Sequence, residues 1–292
     1  MALSEPQSVL PVQATLGEGP VWVAREQALW FVDIKSHQVH RFDPATGDHR
    51  SFAAPEQVGW VLPSDDGQFL AGLKTGVARF DAETGEFTSL RDPEPDLPGN
   101  RLNDATVDAA GRVWFGTMDD GEEAATGCLW CLDGGEVRAS GLPPVTITNG
   151  PAISPDGRTL YHTDTLGRLI HAVPMNDDGT LGSARVFAEI AEEDGWPDGC
   201  VCDAEGFLWS GLWGGWRARR YAPDGSIAQE VRFPVANITK IAFGGPDLTT
   251  AYATTARKGL DEAVLAGQPL AGNLFAFDAG VAGIPGSVAR LR

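Results

Sequence analysis

Hydrophobic positions in this chain come in short runs broken by turn residues. Between Arg101 and Asp119 the sequence reads R-L-N-D-A-T-V-D-A-A-G-R-V-W-F-G-T-M-D. Val107-Asp108 closes one run, Ala109-Ala110-Gly111-Arg112 supplies a turn, and Val113 to Thr117 is a second run of β-branched and aromatic residues. The stretch predicts a β-hairpin. The same pattern recurs as Ile153-Ser154-Pro155-Asp156-Gly157-Arg158-Thr159-Leu160-Tyr161 and as Val201-Cys202-Asp203-Ala204-Glu205-Gly206-Phe207-Leu208-Trp209.

Extended along the chain, the pattern forms units. The first runs through Val21-Trp22-Val23, Ala28 to Asp33, Gln38 to Asp43 and Asp48 to Phe52. The second runs through Gly59 to Leu62, Phe69 to Lys74, Gly76 to Asp81 and Glu86 to Leu90, and both units end alike, in R-F-D-P-A-T-G and R-F-D-A-E-T-G. Four more follow: the Arg101 hairpin with Gly127 to Leu132, a unit around Ile153 to Val173, one from Val201 to Val231, and one from Ile241 through Tyr252 to Phe277. The anchors Trp30, Phe69, Trp114, Tyr161, Trp209 and Tyr252 recur at roughly 40 to 50 residues, the spacing of propeller blades. The expected fold is all-β, a six-bladed β-propeller occupying residues 1–292 as a single domain, with Ser8 to Val12 closing the ring against the last blade.

Composition agrees and narrows the function. Gly 36 and Pro 20 suit tight turns, and 42% hydrophobic residues with Trp 9 and Phe 13 exclude a disordered chain. A net charge of −18 spread along the chain argues against nucleic acid or an anionic membrane as partner and is compatible with cations. The start, Met1-Ala2-Leu3-Ser4-Glu5-Pro6, lacks a basic region before an apolar run, and no segment approaches the ~20 apolar residues of a membrane helix, so a cytoplasmic protein is expected. Cys128 with Cys131 and Cys200 with Cys202 resemble zinc spacings, but residues three apart on a strand point to opposite faces, which favours core packing. His37, His40, His49, His162 and His171 form no ligand motif and are expected on the surface or in hairpins, and no serine lies in a G-x-S-x-G setting.

A polar register crosses the units. Asn103 precedes Gly111, Asn149 precedes Gly157 and Asp198 precedes Gly206 by one shared count; counting on to the blade anchor reaches Trp114, Leu160 and Trp209, and from Glu18 the same count reaches Leu29. Equivalent positions on the inner strands of a propeller ring one mouth of its channel, so Glu18, Asn103, Asn149 and Asp198 are expected to face one another there. Two carboxylates and two carboxamides make an oxygen-only cage suited to Ca²⁺, Mg²⁺, Mn²⁺ or Fe²⁺. Taken singly, such residues commonly cap turns; four in register point to a site in the central channel.

The motifs L-G-E-G-P at Leu16 to Pro20, R-L-N-D at Arg101 to Asp104, G-T-M at Gly116 to Met118, T-N-G-P at Thr148 to Pro151, P-D-G at Pro197 to Gly199 and F-G-G-P-D-L at Phe243 to Leu248 resemble the regucalcin, gluconolactonase and related sugar-lactonase family. The resemblance covers nearly the whole chain. It implies that Glu18, Asn149 and Asp198 hold one divalent metal, that Arg101 and Asn103 contact a sugar lactone, and that a glutamate after G-T-M does too, Glu122 with Glu123 as its rival. Y-H-T-D-T-L at Tyr161 to Leu166 and T-T-A-R-K-G-L at Thr254 to Leu260 are most similar to bacterial xylonolactonases, which implies Fe²⁺ as the favoured metal, with Ca²⁺, Mn²⁺ or Zn²⁺ as alternatives, and D-xylonolactone as substrate in oxidative pentose breakdown. Gluconolactone or L-arabinonolactone as substrate, and a non-catalytic calcium-binding role, are the competing implications. In the hydrolytic reading the metal polarises the lactone carbonyl and water attacks, helped by metal coordination or by Asp198 as general base.

Overall fold

The computed structural model describes residues 5–291; Met1 to Ser4 and Arg292 lie outside the described residues. Among these residues the strands form six four-stranded antiparallel sheets. Blade 1 runs outward from Gly17–Val23 through Ala28–Asp33 and Gln38–Phe42 to His49–Ala53. Blades 2 to 5 repeat this meander from the inner strands Val58–Pro63, Asn100–Val107, Thr148–Ile153 and Trp196–Cys202. Blade 6 begins at Ile238–Gly244, and its outermost strand is the N-terminal Gln7–Leu10, in which Gln7 faces Ala276 and Ser8 faces Phe275. The two ends of the chain thus share one sheet. Each inner strand contacts the inner strands of the blades before and after it, with blade 6 meeting blade 1, so the ring closes.

Core clusters lie between adjacent blades. Trp30, Val32 and Val39 of blade 1 pack on Val58, Phe69 and Phe80 of blade 2, and the Trp30 and Phe69 ring centroids are 4.4 Å apart. Trp209 of blade 5 meets Ile241, Phe243 and Phe277 of blade 6 in the same way. Large anchors fill these gaps because the twist of each blade opens a wedge toward its neighbour.

The hairpin turns read in the sequence have a specific chemistry. Asp108 Oδ1 accepts from the Ala110 and Arg112 backbone N–H groups, and its Oδ2 accepts from Trp114 Nε1 at 3.0 Å. In blade 5 Asp203 does the same with Glu205, Phe207 and, at 2.9 Å, Trp209 Nε1. One carboxylate thus fixes the turn and satisfies the indole N–H of the blade's largest core side chain. Blades 2 and 4 use a serine, with Ser64 and Ser154 hydroxyls donating to Asp66 and Asp156.

Beyond the last blade strand the chain crosses the far end of the channel. The Ala204 N–H donates to Ala282, Gly283 to Leu248, Ala289 to Pro63 and Arg290 to Gly111, so this strap spans from blades 5 and 6 to blades 2 and 3. Among the described residues no helix is long and apolar enough to cross a membrane.

Two readings change. His40 and His162 lie in hairpin strands, one of the two expected settings, but are buried there rather than exposed. Each lies near a cross-strand histidine, His49 or His171, and burial followed by that neighbour lowers both to about 4. The count from site residue to anchor also varies by one. Trp30 and Tyr161, not Leu29 and Leu160, pair with the residues three past Glu18 and Asn149, as Trp114 and Trp209 do past Asn103 and Asp198. In blade 4 the difference is one extra residue in the turn between Ser154 and Thr159, against Asp108 to Arg112 and Asp203 to Phe207. The four cysteines are free; Cys131, Cys200 and Cys202 are buried and Cys128 half-buried just before its strand.

Asp203 is fully buried, and Arg220 Nε donates to it at 2.7 Å. Asp203→Ala removes the partner of a buried indole, a guanidinium and a turn. It is expected to lower unfolding free energy by about 3–5 kcal/mol in urea titrations. A loss within ordinary surface-mutation noise would show that the turn is held by its backbone alone.

Candidate active site in the channel mouth

Every inner strand carries a break in its ladder at the same depth. The register with the next strand shifts between Glu18 and Val21, Val58 and Trp60, Leu102 and Ala105, Asn149 and Ala152, Pro197 and Cys200, and Ile238 and Ile241. A bulge bends its strand and re-aims side chains that would otherwise enter the pleat. Glu18 and Asn149 are the last paired residues before the break, whereas Asn103 and Asp198 lie within it. Gly19 and Gly150, which follow Glu18 and Asn149, have φ of 55° and 74°, a conformation that a side-chain-bearing residue resists. The glycines beside these polar residues are therefore part of the site's construction.

The result is one cavity of about 300 Å³ lined by Glu18, Arg101, Asn103, Glu122, Asn149 and Asp198, with Lys258, Thr165 and an apolar wall that includes Met118, Trp196 and Trp213. All six residues singled out in the sequence meet there. Glu122 lines the cavity and Glu123 does not. The reason is local: the Asp119 carboxylate accepts from the Gly121, Glu123 and Ala124 N–H groups, winding the loop around itself, and Glu122 sits at φ 60°.

Hydrogen bonds fix the amides and the guanidinium. Asn103 Nδ2 donates to Asn149 Oδ1 at 2.8 Å and to the Thr148 carbonyl at 2.7 Å; Asn149 Nδ2 donates to Thr165 Oγ1 at 3.0 Å. The Arg101 Nε donates to Asp120 at 3.0 Å and its Nη1 to Asn103 Oδ1 at 2.6 Å. Asp120 in turn accepts from Lys35 at 2.6 Å and Gln57 at 2.9 Å. Partial burial works to raise Asp120, but the hydrogen bonds from Lys35 and Gln57 and the charge of Arg101 outweigh it and hold it well below the usual carboxylate range.

The channel floor is acidic. Burial, then the charge of Asp104, raises Glu18 to about 8 against opposing effects of the Gly19 N–H, Lys240 and Arg101. Burial, then Glu18 and Asp104, pushes Asp198 far above its ordinary value. Asp104 is also raised by burial, although Lys240 Nζ donates to its Oδ1 at 2.6 Å. Lys240 thus serves Asp104, which leaves Glu18 and Asp198 repelling each other.

No three His, Cys, Asp or Glu side chains form a metal-holding group among the described residues. The donor set here is two carboxylates and the carboxamide of Asn149. Two buried, mutually repelling carboxylates beside a carboxamide oxygen fit a hard divalent cation, which would lift the repulsion.

The sequence did not assign roles to Asp120, Thr165, Asp104, Lys240 or Lys258. Asp120 lies just after G-T-M, in Asp119-Asp120-Gly121-Glu122-Glu123, Thr165 in Y-H-T-D-T-L and Lys258 in T-T-A-R-K-G-L, but the partner of each residue is on another blade or strand.

A propeller whose channel mouth gathers paired acids, amides and an arginine around a small cavity belongs to the class of propellers that carry a small-molecule site in the channel. The chain belongs to the SMP-30/gluconolactonase/LRE-like family, whose model matches residues 16–257. It is 38% identical over 265 residues to an L-arabinolactonase of Azospirillum brasilense, covering 89% of this chain and 87% of that one. It is 35% identical over 272 residues to a 6-deoxy-6-sulfogluconolactonase of Pseudomonas putida, covering 92% and 93%. Among solved structures it resembles a calcium-binding regucalcin of Agrobacterium tumefaciens, with a TM-score of 0.92 and 30% identity over 99% of this chain and 97% of that one.

Without a bound cation, burial raises the Glu18 carboxyl from its ordinary value of 4.5 to about 8 in the folded chain. The folded state then binds more protons, so this contribution is present below the first value and lost as pH rises through the second. The melting temperature of chelator-treated protein is expected to fall across that window, and Glu18→Gln to flatten the fall. A melting temperature that climbs across it would show that the carboxylates do not share a buried site.

Proposed function

We propose that this chain is a sugar lactonase that hydrolyses an aldonolactone to its aldonic acid. The observation that carries the reading is the single cavity in which Glu18, Asn149, Asp198, Arg101, Asn103 and Glu122 meet. Relatives named as lactonases of sugar acids support it.

Glu18, Asn149 and Asp198 would hold one divalent cation, which when bound supplies Lewis-acid polarisation of the lactone carbonyl. Arg101, locked by Asp120 and Asn103, places the ring by its oxygens, using binding remote from the reacting carbon to orient it. Asn103 is held between Arg101 and Asn149, so its amide is presented in one orientation. Asp198, ionised once a bound cation offsets the charges of Glu18 and Asp104, would accept the proton of the attacking water and return it to the ring oxygen as the ring opens. The apolar wall of Met118, Trp196 and Trp213 limits the water in contact with the ring.

At finer grain, the resemblance of the Tyr161 to Leu166 and Thr254 to Leu260 motifs supports D-xylonolactone as the substrate, Fe²⁺ as the cation and a place in oxidative pentose breakdown, and the cytoplasmic reading belongs to the same proposal. The single-domain reading of residues 1–292 belongs to the same proposal. L-arabinonolactone is the second substrate reading, favoured by the 38% identical relative.

The test is acid release from D-xylono-, L-arabinono- and D-gluconolactone by chelator-stripped protein reconstituted anaerobically with Fe²⁺, Mn²⁺, Zn²⁺ or Ca²⁺. Turnover should depend on the cation, and Asp198→Asn should lower kcat by about 10²-fold or more. Stoichiometric cation binding without turnover on any lactone would overturn the lactonase reading in favour of a calcium-binding protein.

A further inference from the structure

Glu122 and Lys258 form an ion pair at the edge of the cavity. Glu122 follows the second strand of blade 3, Val113–Asp119, and Lys258 follows the second strand of blade 6, Thr250–Thr255. Blades 3 and 6 are opposite one another in a ring of six, so the pair spans the mouth rather than running along its rim. Both residues line the cavity.

Their backbones are fixed while their side chains stay wet. The Lys258 N–H donates to the Thr15 carbonyl at 2.8 Å, and its own carbonyl accepts from Asn237 Nδ2 at 3.1 Å. Glu122 is held by the loop wound around Asp119. The two side chains are 30% and 38% exposed, so their pair is of the kind that water and salt weaken most. Buried Arg101 is engaged by Asp120, Asn103 and the Leu102 carbonyl, whereas Lys258 Nζ has Glu122 as its hydrogen-bond partner.

A sugar hydroxyl donates one hydrogen bond and accepts others. Set between a carboxylate and an ammonium, it satisfies both and replaces their direct contact. A lactone whose carbonyl lies against Glu18, Asn149 and Asp198 directs the far side of its ring toward the mouth. A hydroxyl there is read by the pair; a bare methylene leaves the pair closed on itself and gains nothing.

We propose that Glu122 and Lys258 form a hydroxyl-reading pair across the channel mouth, and that Lys258 is a specificity-determining residue that selects polyhydroxylated lactones over unsubstituted ones. The inference rests on the lactonase reading and deepens it. The charge of Lys258 also favours the ionised form of Asp198, an effect common to every lactone, so the preference between lactones isolates its hydroxyl-reading role.

The experiment compares kcat/KM for D-xylonolactone, D-gluconolactone and γ-butyrolactone in the reconstituted protein and in Lys258→Met and Lys258→Arg. It also measures by calorimetry the binding of a cyclic anhydropentitol, which has the hydroxyls but no ester. Lys258→Met should lower the preference for hydroxylated lactones over γ-butyrolactone by about tenfold, mainly through KM, as expected for a lost hydrogen bond to a charged donor. Lys258→Arg should restore most of it, and Lys258→Met should weaken anhydropentitol binding in parallel. A preference ratio that stays constant in Lys258→Met, even if every KM rises together, would reduce Lys258 to a loop anchor and overturn the proposal. If no lactone is hydrolysed but anhydropentitol binding still depends on Lys258, the hydroxyl-reading role stands and the lactonase reading falls.

Discussion

Glu18 and Asp198 are buried at the same mouth of a channel; burial and the charge of Asp104 make both harder to ionise, and the charge of Glu18 adds to the cost at Asp198. Removing a carboxylate from water costs several kcal/mol even after relaxation, and a second one nearby adds to it. Much of the surrounding arrangement limits that cost. Lys240 is committed to Asp104, Arg101 and Lys258 bring positive charge to the same cavity, and the Gly19 N–H donates to Glu18. A cavity arranged this way favours whatever positive charge enters it. That preference links an acidic protein fold to chemistry at an electron-poor carbonyl.

The acids can be presented because the ladder breaks at the same level in six inner strands. An unbroken antiparallel strand would alternate its side chains between the two faces of its blade, burying these residues among the Trp and Phe anchors. The bulge supplies the extra residue that turns them along the channel instead. Outside that level the same strands return to regular pairing, and Val21, Thr106, Ala152 and Val201 face Trp30, Trp114, Tyr161 and Trp209. Packing and site thus occupy different stretches of one strand.

The two ends of the channel are unlike. The far end is crossed by the strap after blade 6, whose Ile284, Pro285 and Gly286 line a second cavity of about 270 Å³ that also contains Lys240. At the near end the Glu122–Lys258 pair and the Trp196 and Trp213 wall line the opening. Access from that side and closure on the other follow from where the chain's last segment lies.

The repeat of hairpins, the anchor spacing and the ring-closing strand were legible in the sequence, because strand alternation and turn chemistry are local and each blade repeats them. The polar ring was legible for the same reason: equivalent positions in a repeated unit converge when the units are arranged around an axis. A one-residue variation in turn length displaced the count at Leu29 and Leu160, since register depends on how many residues a turn consumes. The burial of His40 and His162 was not legible, because nothing local separates a wet cross-strand histidine from one covered by a neighbouring blade. The partners were hidden for a related reason. Asp120 meets Arg101 on the neighbouring strand of its own blade, and it meets Lys35 and Gln57, Lys240 meets Asp104 and Lys258 meets Glu122 across blades. By itself the sequence determined the fold, its repeat and the residues of the ring. Only the tertiary structure decided which charges neutralise one another and which are left facing the cavity, because electrostatic pairing depends on distance and burial between segments far apart in the chain.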